Sequence, residues 1–516
     1  MHNESVVGRP GGLALGALVF GAGIGALATE ITASRLLAPY FGSSTIVWAN
    51  LIGIVLAALA LGYWLGGRIA DRRPRPSLLG TIVLAAALCV AAIPFVAKPF
   101  LDLTVEGLDD ASVGAIIGSF VAVLLLFAPA VVLLGMVSPF AIRLAVASIE
   151  TAGAVAGRLY ALSTAGSLLG TFLSALVLIP ALGTQRTFLV IAALLAASSC
   201  LLLGARYLVV AAALTALVAV PPGAVKADAG LLHEETSRYQ YIRVLERPDG
   251  RRVLQLNEGV AIHSLWRPGS VLTGGEWDVA LAMPPLLGRS LERVAILGNA
   301  AGTTARALGV YYPKTYVDGV ELDPAVSRVG RRYFGMGENH RLTVHDADAR
   351  PFLRSTDQLF DLIVVDAYRQ PYVPFYLATR EFFRLVREHL APGGIVALNV
   401  AAVPDDKRLA QAVGTTLASE FPQVLEWPAL RFNTFVLGLT EPLTTREFHR
   451  RLRVGPADLA SLRRLLARDA RPVEVHGRAW TDDRAPVEWL TDRMIVAYAS
   501  EGGRLDEDYL PTRPAP

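Results

Sequence analysis

Four features in the second half of the chain could do chemistry together: the turn Gly298-Asn299-Ala300-Ala301-Gly302, Glu321, Asp348 and Asp366. Each follows a short apolar run, at 294–297, 317–320, 342–345 and 362–365. Runs of that length, bounded by turn residues and separated by helical patterns, read as the strands of an α/β sheet. Glycine lets the backbone turn sharply and lets a ligand approach it closely. A carboxylate about twenty residues further on, at the end of the next strand, can accept both hydroxyls of a ribose. Open α/β sheets collect ligands at the carboxyl ends of their strands. Glycine and three carboxylates are therefore expected to converge on one crevice.

Taken singly, each position has a plainer use. Glu321 or Asp323 could cap the helix that begins at Pro324, and Asp348 could cap the helix after it. Their order along the chain, each at a strand end, favours a nucleoside site. The sequence has no Lys-Ser/Thr phosphate loop, no paired metal-ligand histidines and no nucleophile elbow. An unphosphorylated adenosine ligand fits this set, such as S-adenosylmethionine or its decarboxylated form, and no metal is required.

The elements around these positions change character along the chain. The runs 239–246 and 251–256 flank the turn Pro248-Asp249-Gly250, and Asn257-Glu258-Gly259 leads into another extended run. They predict a small antiparallel β subdomain over 230–275, ahead of a Rossmann-like α/β domain over 276–500. The polar, proline-containing tail 501–516 is expected to be flexible.

Residues 1–222 have a different composition. The chain is 53% hydrophobic with positive mean hydropathy, too apolar for a soluble protein of 516 residues. Residues 1–222 hold 11 Lys and Arg and 8 Asp and Glu, leaving 37 of each charge for the remainder. Six runs of bilayer-spanning length follow one another at 13–29, 45–65, 78–96, 113–137, 159–182 and 187–204. The first lacks a small-residue cleavage site and more spans follow, so it is not a cleavable signal. A shorter run, 207–220, ends in Pro221-Pro222-Gly223 and could be a seventh span or an interfacial helix. The fold expected is thus a multi-pass α-helical membrane domain joined to a Rossmann-like domain carrying a small N-terminal β subdomain. The balanced charge of the second part offers no footprint for nucleic acid.

Arg68, Arg72, Arg73 and Arg75 follow the second run, whereas Asp102, Glu106, Asp109 and Asp110 follow the third beside a single Lys98. That asymmetry places the N-terminus in the cytoplasm of a cell-membrane protein. Six spans return the chain to the cytoplasm; a seventh would put the soluble part outside. Glu30 and Arg35 close the first run near Trp48, at a helix end where reaching the interface costs little. The stretch Gly66-Gly67-Arg68-Ile69-Ala70-Asp71-Arg72 resembles a short loop of major-facilitator transporters, and is also what a tight turn requires. Cys89 and Cys200 sit in apolar runs and read as packed hydrophobes.

Residues from about 235 to 400, and more loosely to 496, resemble the spermidine synthase (polyamine aminopropyltransferase) family, in its membrane-fused bacterial form. The matching stretches are Ser237-Arg238-Tyr239-Gln240, the turn from Gly298 to Gly302, Glu321-Leu322-Asp323, Asp346-Ala347-Asp348, and Phe360-Asp361-Leu362-Ile363-Val364-Val365-Asp366. The resemblance implies a transferase of polyamine biosynthesis, moving an aminopropyl group from decarboxylated S-adenosylmethionine to an amine. That donor is a co-substrate; no separate cofactor is implied. By the resemblance Gln240 and Glu321 hold the ribose and amino-acid side of the donor, beside Gly298 and Gly302. Asp348 takes the adenine amino group, and Asp366 is the base. Tyr239, Trp277 and Arg369 would lie on the acceptor side. A homodimer formed through the soluble domains is also implied.

This chain departs from that pattern in three places. Ala301 and Arg369 stand where the family has carboxylates for the aminopropyl ammonium and the diamine. Trp277-Asp278-Val279 stands for its Tyr-His-Glu segment. A guanidinium in place of an anchoring carboxylate repels a diammonium acceptor, which argues against putrescine. The loop holding Tyr368, Tyr372, Val373, Pro374, Phe375 and Tyr376 could close over a less polar acceptor or pack against the sheet. Two other functions stay open: an S-adenosylmethionine-dependent methyltransferase, and a polyamine or nucleoside transporter or sensor that binds without catalysing.

Overall fold

The computed structural model describes residues 11–41, 45–106, 111–220, 226, 228–257, 261–368, 372–404 and 406–500. Asp109, Asp110, the Pro221-Pro222-Gly223 segment, Glu258, Gly259, Arg369 and the tail 501–516 lie outside the described residues. The chain divides into two compact units, Met1–Ala227 with Glu235–Tyr241, and Asp228–Glu234 with Ile242–Pro516.

Among the described residues the first unit holds six helices long and apolar enough to cross a membrane: α1 (Gly12–Phe41), α2 (Val47–Arg72), α3 (Pro76–Leu101), α4 (Ile117–Ala145), α5 (Ile149–Leu182) and α6 (Thr184–Leu203). The protein is a multi-pass membrane protein on this evidence of length and composition. A shorter apolar helix, α7 (Ala205–Val218), follows. At 1.5 Å per residue it reaches about 21 Å, short of a hydrocarbon core about 30 Å thick. The run 207–220 therefore forms a helix below the usual spanning length.

Small residues let these helices touch backbone to backbone. A Cβ on Gly166 would lie 2.2 Å from the Phe20 carbonyl oxygen, and one on Gly170 would lie 2.4 Å from that of Ile24. Such contacts fix α1 against α5 through packing where water cannot drive association. Both α4 and α5 contain one wide turn, at Val123–Phe127 and Ser174–Leu178. Pro129 and Pro180 follow them closely and lack the N–H that the carbonyl four residues earlier would have accepted. At the end of α2, Asp71 pairs with Arg143 Nε at 3.0 Å, outside the apolar stretch. Arg35, near the end of α1, donates to the carbonyl of Tyr239 at 2.8 Å and to that of Arg238.

The second unit contains most of a four-stranded sheet in the order β1 (Leu231–Thr236), β2 (Tyr241–Glu246), β3 (Arg252–Leu256), β4 (Ile262–Trp266). β2 pairs antiparallel with β3, and β3 with β4. An eight-stranded sheet follows. Its parallel part runs β9 (Leu390–Ala401), β8 (Phe360–Val365), β5 (Arg293–Leu297), β6 (Tyr316–Glu321) and β7 (Leu342–Asp346). Beyond β9 come β11 (Asn433–Leu439), β10 (Gln423–Trp427) and the short β12 (Arg471–Pro472), with the β9–β11 and β11–β10 pairs antiparallel.

The alternation of side chains explains why the central strands read as continuous apolar runs. Ala295, Leu297, Ile363 and Val365 enter one buried cluster. Val294, Ile296, Leu362 and Val364 enter another. A parallel sheet covered on both faces buries every position of its inner strands. Helices α8 (Thr303–Tyr311), α9 (Pro324–Tyr333) and α10 (Ala349–Ser355) return the chain after β5, β6 and β7. The strand ends thus stand side by side, with Glu321 as the last residue of β6 and Asp366 just past β8.

Candidate active site

Asp366 is fixed to the strand beside it, because its N–H donates to the Leu297 carbonyl at 2.8 Å. Gly298 then turns away with φ of +95°, and a Cβ there would sit 2.5 Å from the Asp366 carbonyl and the Ala367 nitrogen. Only glycine combines that left-handed backbone with so close a crossing. The crossing opens a small crevice. Gly298, Asn299, Ala300 and Ile296 line it from the end of β5, and Thr304 from α8. Asp366, Tyr368 and Asn399 line it from β8 and β9, with Ile262, His263, Glu276 and Trp277 completing it.

The carboxyl of Asp366 accepts from Asn399 Nδ2 at 2.8 Å. Burial pushes it up to about 7, against the opposing pull of that hydrogen bond. Asn399 is oriented in turn, since its Oδ1 accepts from Asn433 Nδ2 at 3.1 Å. The Tyr368 hydroxyl closes the same corner by donating to the Asn399 carbonyl at 3.0 Å. A carboxyl near neutrality, inside a crevice and oriented by an amide, is suited to take a proton from a substrate.

Across the crevice, Glu276 opens a tight helical turn, Glu276–Ala282. Asp278 holds that turn by accepting from Thr273 N at 2.9 Å, Thr273 Oγ1 at 3.0 Å and Gly274 N at 2.7 Å. Thr304 Oγ1 ties it to α8 through the Trp277 carbonyl at 3.2 Å. Burial pushes the Glu276 carboxyl up to about 8, with the charges of Asp366 and Asp278 adding to the effect. His263 is driven the other way, down to about 4, so its imidazole is neutral at physiological pH.

The glycine turn uses its amides internally. Gly298 N and Asn299 N both donate to the Val320 carbonyl at 2.9 Å, and Gly302 N to that of Asn299 at 2.8 Å. Ala300 N donates to Glu321 Oε2 at 2.9 Å and Ala301 N to Ser264 Oγ at 3.0 Å. A phosphate site needs such N–H groups free to point at the anion. These five are committed to the protein, in keeping with a ligand that carries no phosphate.

The remaining candidates play other parts. Glu321 accepts from Ala300 N and from Asp323 N at 3.0 Å, and burial pushes it up to about 7. It braces the turn from behind and does not line the crevice. Asp323 caps α9 through Ala325 N. Asp348 caps α10 through Arg350 N at 3.1 Å and also accepts from the Tyr376 hydroxyl at 2.9 Å. Gly302 forms the start of α8 with φ of +84°, its α-carbon against Met336. Trp277 is buried at the crevice wall. Tyr239 and Gln240 group with the helical unit, in a turn where both backbone amides donate to Ser237 Oγ at 3.0 Å. Arg369, as noted, is outside the described residues. Within the aromatic loop Tyr372 and Val373 are buried and Phe375 is exposed, and the Tyr372 hydroxyl donates to Asp492 at 2.6 Å.

Sequence reasoning missed Glu276, His263 and Asn399. The signal for Asn399 was present as one amide inside the apolar run 395–400, since buried polar groups in such runs need a reason. Glu276 and His263 lie outside the α/β alternation, and no spacing rule links them to strand ends.

Residues 279–430 match the Spermine/spermidine synthase domain family, so the chain carries such a domain after its apolar helices. It is a distant homologue of polyamine aminopropyltransferases. It is 35% identical over 195 residues to a probable polyamine aminopropyl transferase of Bifidobacterium longum, covering 38% of this chain and 43% of that protein. It is 31% identical over 175 residues to a polyamine aminopropyltransferase of Vibrio vulnificus, covering 33% and 58%. The chain therefore spans about half the length of the curated relatives it matches. Among solved structures, a probable spermidine synthase from Corynebacterium glutamicum aligns at 21% identity with a TM-score of 0.39, covering 54% of this chain and 96% of that one.

Proposed function

We propose that the protein is a membrane-bound aminopropyltransferase that moves an aminopropyl group from decarboxylated S-adenosylmethionine to an amine acceptor, with putrescine disfavoured by the guanidinium of Arg369. The observation that carries this reading is Asp366, a carboxyl raised to about 7 and held by Asn399 inside the crevice. The relatives' names and the matched domain support the same class of reaction.

The chemistry follows from the needs of the amine. A protonated amine has no lone pair, so it must lose a proton before it attacks. Asp366 accepts that proton. The nitrogen lone pair then forms a bond to the methylene carbon beside the sulfonium, while the carbon–sulfur pair returns to sulfur. With a primary amine the product is a secondary ammonium, and methylthioadenosine leaves as a neutral thioether. In this reading Glu321 serves the ribose and Asp348 the adenine amino group. Holding both cations in line lowers the barrier by orientation.

A methyltransferase is the second reading, favoured by Ala301, a buried apolar residue in the glycine turn. Purified full-length protein separates the two. It is incubated with either sulfonium compound and a panel of amines, and the products are identified by mass spectrometry. The proposal expects methylthioadenosine and an aminopropylated amine. S-adenosylhomocysteine with a methylated acceptor would support the rival, and neither product would remove both.

A further inference from the structure

The crevice shows an imbalance between hydrogen-bond donors and acceptors. Its donors are already engaged: Thr304 Oγ1 to the Trp277 carbonyl, Trp277 Nε1 to the His263 carbonyl, the Tyr368 hydroxyl to the Asn399 carbonyl, and Asn399 Nδ2 to Asp366. Two buried acceptors of its lining residues are not. Asn299 is buried with its amide against Gly319 of β6, and its Oδ1 has no hydrogen-bond partner among the described residues. His263 Nδ1 is shielded from solvent and equally without a partner. The carboxyl of Glu276 is met by its own backbone N–H but by no ion pair among the described residues, and no Lys or Arg lines the crevice among them. Buried polar atoms left unpaired are costly and call for an explanation. A ligand that brings N–H donors and positive charge supplies one.

We infer that Glu276 is the residue that anchors the acceptor's ammonium group, so that the acceptor is a primary or secondary amine held between Glu276 and Asp366. This rests on the aminopropyltransferase reading and names the group that selects its acceptor. Asp366 removes the proton from the attacking nitrogen, and Glu276 supplies the lasting negative charge that keeps the amine in place. The division follows from their surroundings. Asp366 is oriented by the Asn399 amide, while no cation among the described residues neutralises Glu276. Among the described residues the titratable groups facing Glu276 are Asp366 past β8, Asp278 on its own turn, His263 on β4 and Tyr368 after Asp366. None of them is a cation at neutral pH: two are acids, and burial keeps the imidazole uncharged. At neutral pH the Glu276 carboxyl therefore favours its protonated form, and an arriving ammonium displaces that proton.

The test is calorimetry on the full-length protein in detergent, titrated with putrescine, cadaverine and n-butylamine, in the presence and absence of methylthioadenosine. Titrations run in two buffers of different ionisation enthalpy, at pH about 7, because the acids titrate near neutrality. At least one amine is expected to bind the wild type with release of close to one proton. Glu276→Gln is expected to weaken that amine at least tenfold and to abolish most of the release, with Glu276→Asp recovering part of the affinity. Methylthioadenosine affinity should change less than threefold in both variants, which shows that the site remains folded. Unchanged amine affinity in Glu276→Gln overturns the inference. So does a wild type that binds methylthioadenosine but none of the three amines. A wild type that binds an amine through Glu276 but not methylthioadenosine would instead defeat the aminopropyltransferase reading and leave the anchor standing.

Discussion

Asn399 Nδ2 donates to Asp366 Oδ1 at 2.8 Å, so the end of one parallel strand sets the direction of the carboxyl at the end of its neighbour. Burial raises that carboxyl, and the hydrogen bond partly restrains it. Removing the donor should raise it further. In Asn399→Leu the rising limb of the pH–rate profile is expected to move up by about one unit, and the neutral rate to fall about tenfold. Initial rates across pH 5–9 check this; a profile unchanged in position would remove Asn399 from the account.

The same burial links the site to stability. Asp366 and Glu321 are each pushed up to about 7 and Glu276 to about 8. All three bind their protons more tightly in the folded state than in the unfolded chain. As pH rises from about 4 to about 8, the unfolded chain loses those protons first, so the folded state loses stability through that window. Below about 4 both states hold the protons and the effect vanishes. Thermal melts of the ligand-free protein, followed by tryptophan fluorescence, should give a Tm several degrees lower at pH 8 than at pH 5. In Asp366→Asn and Glu276→Gln the difference should shrink.

Gly298→Ala tests the crossing of the two strand ends. The added methyl meets the Asp366 peptide at 2.5 Å, and alanine disfavours a φ of +95°. Strain of this kind costs about 1–3 kcal/mol, and relief requires the turn to move off Asp366. The expected result is a lower Tm together with loss of methylthioadenosine binding. A crystal structure of the variant with Asp366 undisplaced would contradict the stated cause.

Glu321→Gln tests the brace behind the turn. A carboxylate offers acceptors to both Ala300 N and Asp323 N, whereas a glutamine has one acceptor oxygen. One buried amide is left unpaired, at about 1–3 kcal/mol. Adenosine-ligand affinity should fall at least tenfold if the same carboxylate also meets the ribose. A variant that is destabilised but binds normally would confine Glu321 to bracing.

The sheet and the helices were legible in the sequence because both leave periodic or continuous apolar runs. The runs at 294–297 and 362–365 became β5 and β8, buried on both faces. The six long runs became helices of spanning length, extended at their ends by residues such as Arg72 and Glu30 that the apolar count excludes. Strand ends were legible as well, which is why Gly298 and Asp366 meet. Depth was not. Spacing placed Glu321 at its strand end but could not show that two backbone amides already occupy it. Asp348 likewise turned out to cap α10 while also receiving the Tyr376 hydroxyl. Glu276 directly precedes the Trp277-Asp278-Val279 segment and Asn399 lies in an apolar run, and only folding brings both to the crevice that holds Asp366.

The most direct measurement is the rate at which purified protein releases methylthioadenosine from decarboxylated S-adenosylmethionine with an amine, compared between wild type and Asp366→Asn. Loss of a general base predicts a fall of about 10²–10⁴-fold, with methylthioadenosine affinity kept within threefold. Release at the wild-type rate from Asp366→Asn, or no release from the wild type with any amine, would contradict the account.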